Sequence, residues 1–170
     1  MKTLTLFLTL IAAASAQKIQ IESDQAADFL GYKTFAIQPG RLNSQNPALN
    51  SELVRKRLDA DIAADLQKKG LVPVASGGKA DLNVWYTLGT FRGAKAEAYP
   101  AGWRGWGTRI VRVPYTEGTL VIDLRDTSTR ALVWRAIARQ EKSDAYQVEG
   151  KLDDMVRKSI DKYPPKMKEH

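Results

Sequence analysis

Apolar residues recur in this chain with two periods, two and four. Lys18-Ile19-Gln20-Ile21-Glu22 alternates apolar and polar, the period of a half-buried strand. Tyr32 to Ile37 is a second strand candidate, and Pro39-Gly40 ends it. Arg41 to Asn50 reads as a polar loop. Val54, Leu58, Ile62 and Leu66 then recur at spacing four, with Leu53 and Ala63 widening the stripe. This spacing predicts an amphipathic helix. Asn50 and Ser51 are its N-cap candidates, and Gly70 is its C′ candidate. Glu52 stands near the positive end of the helix, and Lys68 and Lys69 near the negative end. Leu71 to Val74 is a short strand whose proline suits an edge or a strand start. Between Asp81 and Phe91, Leu82, Val84, Tyr86 and Leu88 face one way, and Asn83, Trp85, Thr87 and Phe91 the other.

From Arg92 to Arg112 the alternation breaks, with glycines, Pro100 and two tryptophans. It resumes from Tyr115 to Leu124. Asp126-Thr127-Ser128-Thr129 makes a turn into the return strand Arg130 to Gln140, which together read as a hairpin. Trp85 and Trp134 lie within strand patterns and are expected in the core or packed on the sheet. Val148, Leu152, Met155, Val156, Ile160 and Tyr163 share one side of a last helix, stopped by Pro164-Pro165. The order is β-β-α-β-β-β-β-α. It predicts an α+β fold: a mixed, mainly antiparallel sheet with two amphipathic helices packed on one face. No repeat or low-complexity linker divides it, so residues 17–165 are expected to form a single domain. Residues 166–170 are expected to be a flexible tail.

The first residues follow another logic. Lys2 precedes a short apolar stretch from Leu4 to Ala13, and Ala14-Ser15-Ala16 is an A-x-A cleavage site. The stretch is shorter than the roughly 20 residues of a spanning helix. Residues 1–16 therefore read as a signal peptide cut after Ala16. The product is expected to be exported, either periplasmic or secreted, and soluble.

Several stretches together resemble a known family. They are Asp28-Phe29 with Tyr32-Lys33-Thr34-Phe35, the helix Leu53 to Gly70, and Ala80 to Tyr86. To these add Glu117-Gly118-Thr119-Leu120-Val121-Ile122-Asp123-Leu124, Leu132-Val133-Trp134-Arg135, and Tyr163-Pro164-Pro165. The chain resembles the bacterial domain-of-unknown-function family 4136, whose members are mostly exported envelope proteins and often lipoproteins. The resemblance implies export and fold. It carries no catalytic residue, because the family has no established activity. Many members have a lipobox cysteine. This chain has no cysteine, so the resemblance does not imply a lipid anchor here.

The missing cysteine also removes disulfides, thiolate metal sites and cysteine nucleophiles. Histidine occurs once, as the terminal His170. No cofactor, metal or catalytic motif is predicted, and Gly77-Gly78-Lys79 reads as a turn and not a phosphate loop. Carboxylates remain. Asp59, Asp61 and Asp65 read as the solvated face of the first helix. Asp153 and Asp154 suit the start of the last helix. Glu117, with Asp123 or Asp126, could serve a hydrolase, or could pair with Arg125, Arg135 or Arg139 across strands. The net charge is +7, with the basic residues spread along the chain and in no run of five. Nucleic acid is not an expected partner.

The segment Tyr99 to Arg109 is the remaining feature. Trp103 and Trp106 stand between glycines, with Arg104 and Arg109 nearby. Aromatics and arginine are what binding hot spots favour. Tyr99, Trp103, Arg104, Trp106 and Arg109 are therefore the candidate contact residues, for an envelope protein or an anionic cell-wall or lipid surface. Two readings stay open: a contact loop of a non-enzymatic binding protein, or a long connection folded back on the sheet of a structural accessory domain.

Overall fold

Helix α1 (Glu52–Lys68) shows how local sequence sets an element. The Ser51 side chain accepts a hydrogen bond from the Val54 N–H at 3.2 Å, capping the first turn. At the other end Gly70 has φ +88°. The Gly70 N–H reaches the Gln67 carbonyl at 2.9 Å, and the Leu71 N–H reaches that of Leu66 at 3.2 Å. These two bonds close the last turn of the helix. Val54, Leu58, Ile62 and Leu66 are buried, as their spacing predicts. Leu53 is 77% exposed, so it does not widen the stripe.

The computed structural model describes residues 17–44, 46–75, 78–101 and 107–166. The expected signal peptide lies outside them, as do residues 167–170 of the expected tail. The other elements are β1 (Lys18–Ser23), β2 (Thr34–Ile37), β3 (Arg41–Asn43), β4 (Val72–Pro73), β5 (Leu82–Pro100), β6 (Thr108–Asp126), β7 (Leu132–Lys142), α2 (Ala145–Glu149) and α3 (Leu152–Ile160). The fold is α+β, with a seven-stranded sheet in the order β1-β7-β6-β5-β2-β4 and β3 also paired to β5. β1, β7, β6 and β5 pair antiparallel, while β2 and β3 run parallel to β5. β4 closes the edge beside β2, where its proline is tolerated.

One face of the sheet holds the core. Leu82, Val84, Tyr86 and Leu88 of β5, Leu120, Ile122 and Leu124 of β6, and Trp134, Ala136 and Ala138 of β7 are buried under α1, α2 and α3. Trp134 is fully buried. Its ring meets Tyr163 edge-on at 5.8 Å, and Tyr163 meets Phe29 at 5.9 Å. The Tyr86 hydroxyl donates to Asp59 at 2.6 Å, tying the sheet to α1. Burial and that bond push the Tyr86 hydroxyl pKa well up.

Several expectations need correction. Arg41–Asn50 is not simply a loop, because Arg41–Asn43 pairs with β5 and Pro47–Leu49 winds a 3-10 turn. The last helix is two, broken at Gly150 and Lys151, although its apolar residues all reach the core. The acids of α1 are not a solvated face. Asp59 accepts from Tyr86, Asp65 is buried, and burial raises the Asp61 pKa.

Trp134→Ala should lower unfolding free energy by about 3–5 kcal/mol, read by denaturant titration. A loss below about 1 kcal/mol would mean the aromatic cluster does not bear on stability. Gly70→Ala has open space for its methyl, so only the left-handed backbone is penalised. It should cost about 1–2 kcal/mol in the same measurement.

Candidate functional site

The stretch read as a break in the pattern is two strands that continue past the core. β5 and β6 stay paired from Leu82↔Asp126 to Pro100↔Thr108. β3 leaves β5 at Gly89, and β7 leaves β6 at Thr116. Beyond these points the pair is a two-stranded ribbon. Its nine residues from Arg92 to Pro100 span about 30 Å at roughly 3.3 Å per residue. From Ala94 to Pro100 every β5 residue is exposed. The alternation fails here because neither face of the ribbon is covered, so nothing selects apolar residues on one side.

An isolated two-stranded ribbon is marginal in water, and side chains at its root secure this one. A Cβ on Gly93 would lie 2.6 Å from the Tyr115 ring, so the glycine is what lets that ring lie across the partner strand. Phe91 packs against the same ring at 6.5 Å. The Lys95 ammonium sits 4.9 Å from its centroid, a cation–π contact. Lys95 is also ion-paired with Glu141 of β7, which raises the lysine pKa. Nothing in the sequence pattern pointed to Tyr115 or Gly93 as supports.

Charge gathers on the ribbon. Among the described residues the ribbon carries Arg92, Lys95, Arg109 and Arg112 against Glu97, a net of +3. Glu97 accepts from the Tyr99 hydroxyl at 2.6 Å, and this bond raises the tyrosine pKa. Among the described residues, Arg92, Arg109 and Arg112 enter no ion pair. Tyr99 and Arg109 face each other across the ribbon. Ile110 is 72% exposed next to them. Trp103, Arg104 and Trp106 lie outside the described residues.

The carboxylates weighed for hydrolysis are not brought together. Glu117 and Asp123 are six residues apart on one strand, about 20 Å at roughly 3.4 Å per residue. Paired glycosidase carboxylates need about 5–9.5 Å. Asp123 is instead gripped by Arg135 through two bonds, at 2.7 and 2.8 Å, and Glu117 faces Arg139 at 4.0 Å. Among the described residues, no group of three or more acidic or histidine side chains could hold a metal ion.

A cleft of about 900 Å³ opens at the end of the sheet opposite the ribbon, beside Tyr32, Asp81 and Asp126. Its carboxylates are engaged, Asp81 with the start of β2 and Asp126 with its own turn and Tyr32. Asp81 accepts from the Lys33 and Thr34 N–H groups and the Thr34 hydroxyl, each at 2.9 Å. Asp126 accepts from Ser128, the Thr129 N–H and the Tyr32 hydroxyl. These bonds keep both carboxyls below their ordinary range, led by the Lys33 N–H for Asp81 and by the Ser128 hydroxyl for Asp126. Burial and the Asp126 bond push Tyr32 up to about 12.

A helix-covered α+β sheet extended by a basic β-ribbon defines a small sheet domain whose most distinctive surface projects from its core. The family model described as Domain of unknown function (DUF4136) matches residues 19–165, and the chain belongs to that family. A DUF4136 family protein from Bacteroides thetaiotaomicron has a similar structure. It has TM-score 0.52 and 16% identity, over 87% of this chain and 96% of that one. The PelC dodecamer from Paraburkholderia phytofirmans is similar too, with TM-score 0.52 and 14% identity, over 85% and 95%. A PDZ domain protein from Parabacteroides distasonis matches with TM-score 0.56 and 17% identity over 88% of this chain. This chain spans only 35% of that longer protein. No curated protein sequence matches the chain. At these identities the likenesses establish the fold alone. No helix among the described residues is long and apolar enough to cross a membrane.

The depressed Asp81 and Asp126 carboxyls link stability to pH. Unfolded, each titrates near 4. Their stabilisation is fully present above that value and is lost as pH falls towards the lower folded pKa. The melting temperature should therefore drop between about pH 5 and pH 2. Asp126→Asn should flatten that drop in thermal melts, and a variant profile parallel to wild type would remove Asp126 from the account.

Proposed function

We propose that this chain is a non-enzymatic envelope protein that uses its ribbon to grip an anionic envelope surface or a partner that carries one. The carrying observation is the ribbon itself: among the described residues four basic side chains against one acidic stand on a projection that continues past the core. Tyr99, Trp103, Arg104, Trp106 and Arg109 are the contact residues of this reading. Arginine offers planar, bidentate donors to carboxylate or phosphate. Tyrosine and tryptophan add flat contact area at low entropic cost. The signal-like N-terminus and the family support an exported setting.

The test is crosslinking and pull-down from the native envelope, with the mature chain set against a Trp103→Ala, Arg104→Ala, Trp106→Ala variant of equal melting temperature. The wild type should capture a partner or envelope fraction that the variant loses. Capture should weaken as salt rises from about 0.05 to 0.5 M, because exposed charges are screened. An identical catch from both chains, or no catch, would overturn the reading in favour of a structural accessory role.

A further inference from the structure

The sheet has a second face, opposite the helices, and one part of it is built differently from the rest. Along most of that face charges pair in rows. Arg135 holds Asp123 through two bonds, Arg139 faces Glu117, and Lys95 meets Glu141. At the turn end, the pairing stops. A cleft of about 510 Å³ opens there, lined by Asn83, Trp85, Arg125, Asp126, Thr127 and Arg130. That volume is in the usual range of small-ligand sites.

Four of the lining residues are left with something to offer. Trp85 is 39% exposed, a large apolar ring on a face otherwise rich in ion pairs. Arg125 and Arg130 enter no ion pair among the described residues, and Arg125 Nη1 makes one long bond, to the Arg130 carbonyl at 3.4 Å. Asn83 accepts from Gln38 through its Oδ1 at 2.8 Å, while its Nδ2 donates to no acceptor among the described residues. The cleft's own carboxylate, Asp126, is spent on Ser128, Thr129 and Tyr32, and the Asp123 beside Trp85 is spent on Arg135. What remains is a set of donors around an indole.

Two backbone irregularities place the arginines. The β6–β7 register shifts between Leu124 and Arg125, an irregularity of the kind that re-aims a side chain. Arg130 closes the β6–β7 turn at φ +62°, the left-handed region that suits glycine or asparagine better than arginine. For the turn alone, glycine would serve better.

We infer that this cleft is a binding site for a carboxylated saccharide, with the sugar ring on Trp85 and the carboxylate between Arg125 and Arg130. Bidentate guanidinium donors match a carboxylate. Asn83 Nδ2 and the Thr127 hydroxyl suit ring hydroxyls. The cleft's charge is two arginines against Asp126, a residual of +1 that complements a singly charged carboxylate more closely than a doubly charged phosphate. The site is separate from the ribbon and does not rest on it.

The test is a titration of the ¹⁵N-labelled chain, following the indole Nε1 resonance of Trp85, assigned with Trp85→Phe. The probes are a glucuronic-acid disaccharide, sialyllactose, neutral lactose and glucose 6-phosphate. A carboxylated probe should shift that resonance with Kd of about 0.1–1 mM, and the two acids show which carboxylated sugar fits. Arg130→Gly should weaken binding at least about tenfold while its melting temperature stays level or rises, and Arg125→Gln should weaken it similarly. The Trp103→Ala, Trp106→Ala chain should bind as wild type does, which keeps this result distinct from that of the ribbon. No shift with either acid at about 20 mM, equal response to lactose, tighter binding of the phosphate, or unchanged affinity in Arg130→Gly would each overturn the assignment.

Discussion

Everything in this molecule hangs on the antiparallel pairing of β5 with β6. Each strand is 19 residues long, and the register is unbroken from one end to the other. Half of the ladder lies under helices and contributes the centre of the core. The other half leaves the core and carries charge. Hydrogen bonds hold the ladder along its whole length. Burial acts only on the first half, because apolar stabilisation requires area removed from water. One ladder thus provides both the most stable part of the fold and the part least able to stand alone.

The transition between those halves is chemically marked. Thr116 is the last buried residue of β6 counting back from the core, and it pairs with Arg92 on one side and Lys142 on the other. There Tyr115, Gly93, Lys95 and Glu141 take over from the core. The ring across the glycine fills the space between strands that no helix covers. The Lys95–Glu141 pair joins the ribbon to β7 after β7 has ceased to hydrogen-bond with it. A surface ion pair contributes little by itself. Its value here is positional: it helps set the direction in which the ribbon leaves the sheet.

Sequence periodicity located the elements that bury a face, for a simple reason. Burial is what imposes a period. Val54 to Leu66, Leu82 to Leu88 and Leu120 to Leu124 read clearly because each row meets the same core. The ribbon could not be read in this way. Ala94, Ala96 and Ala98 alternate with Lys95, Glu97 and Tyr99, but alanine against charge is a faint contrast, and Pro100 with the glycines hides it further. The candidate contact residues were legible by type, as tryptophan and arginine among glycines. Trp103, Arg104 and Trp106 lie outside the described residues, and the place of Tyr99 and Arg109 opposite each other on an extended ribbon was not legible. The cleft at Trp85 was hidden for a related reason. Arg125 and Arg130 look like ordinary strand and turn residues until a register shift and a left-handed φ appear.

The two proposed surfaces sit at opposite ends of the ladder and relate differently to stability. Ribbon residues beyond Tyr115 add almost nothing to the core, so their side chains are free of folding constraints. A projecting strand pair left bare on both edges invites wrong pairing. The ribbon's arginines make neighbouring copies repel, which opposes such pairing. At the turn end the constraint is reversed. Arg130 occupies a backbone position where the fold would do better with glycine, and Asp126 beside it is engaged by the turn and by Tyr32. A side chain such as that of Arg130, which works against the turn's own preference and enters no ion pair among the described residues, is poorly explained by folding. Its place beside an exposed indole is explained by a ligand that supplies the missing acceptors.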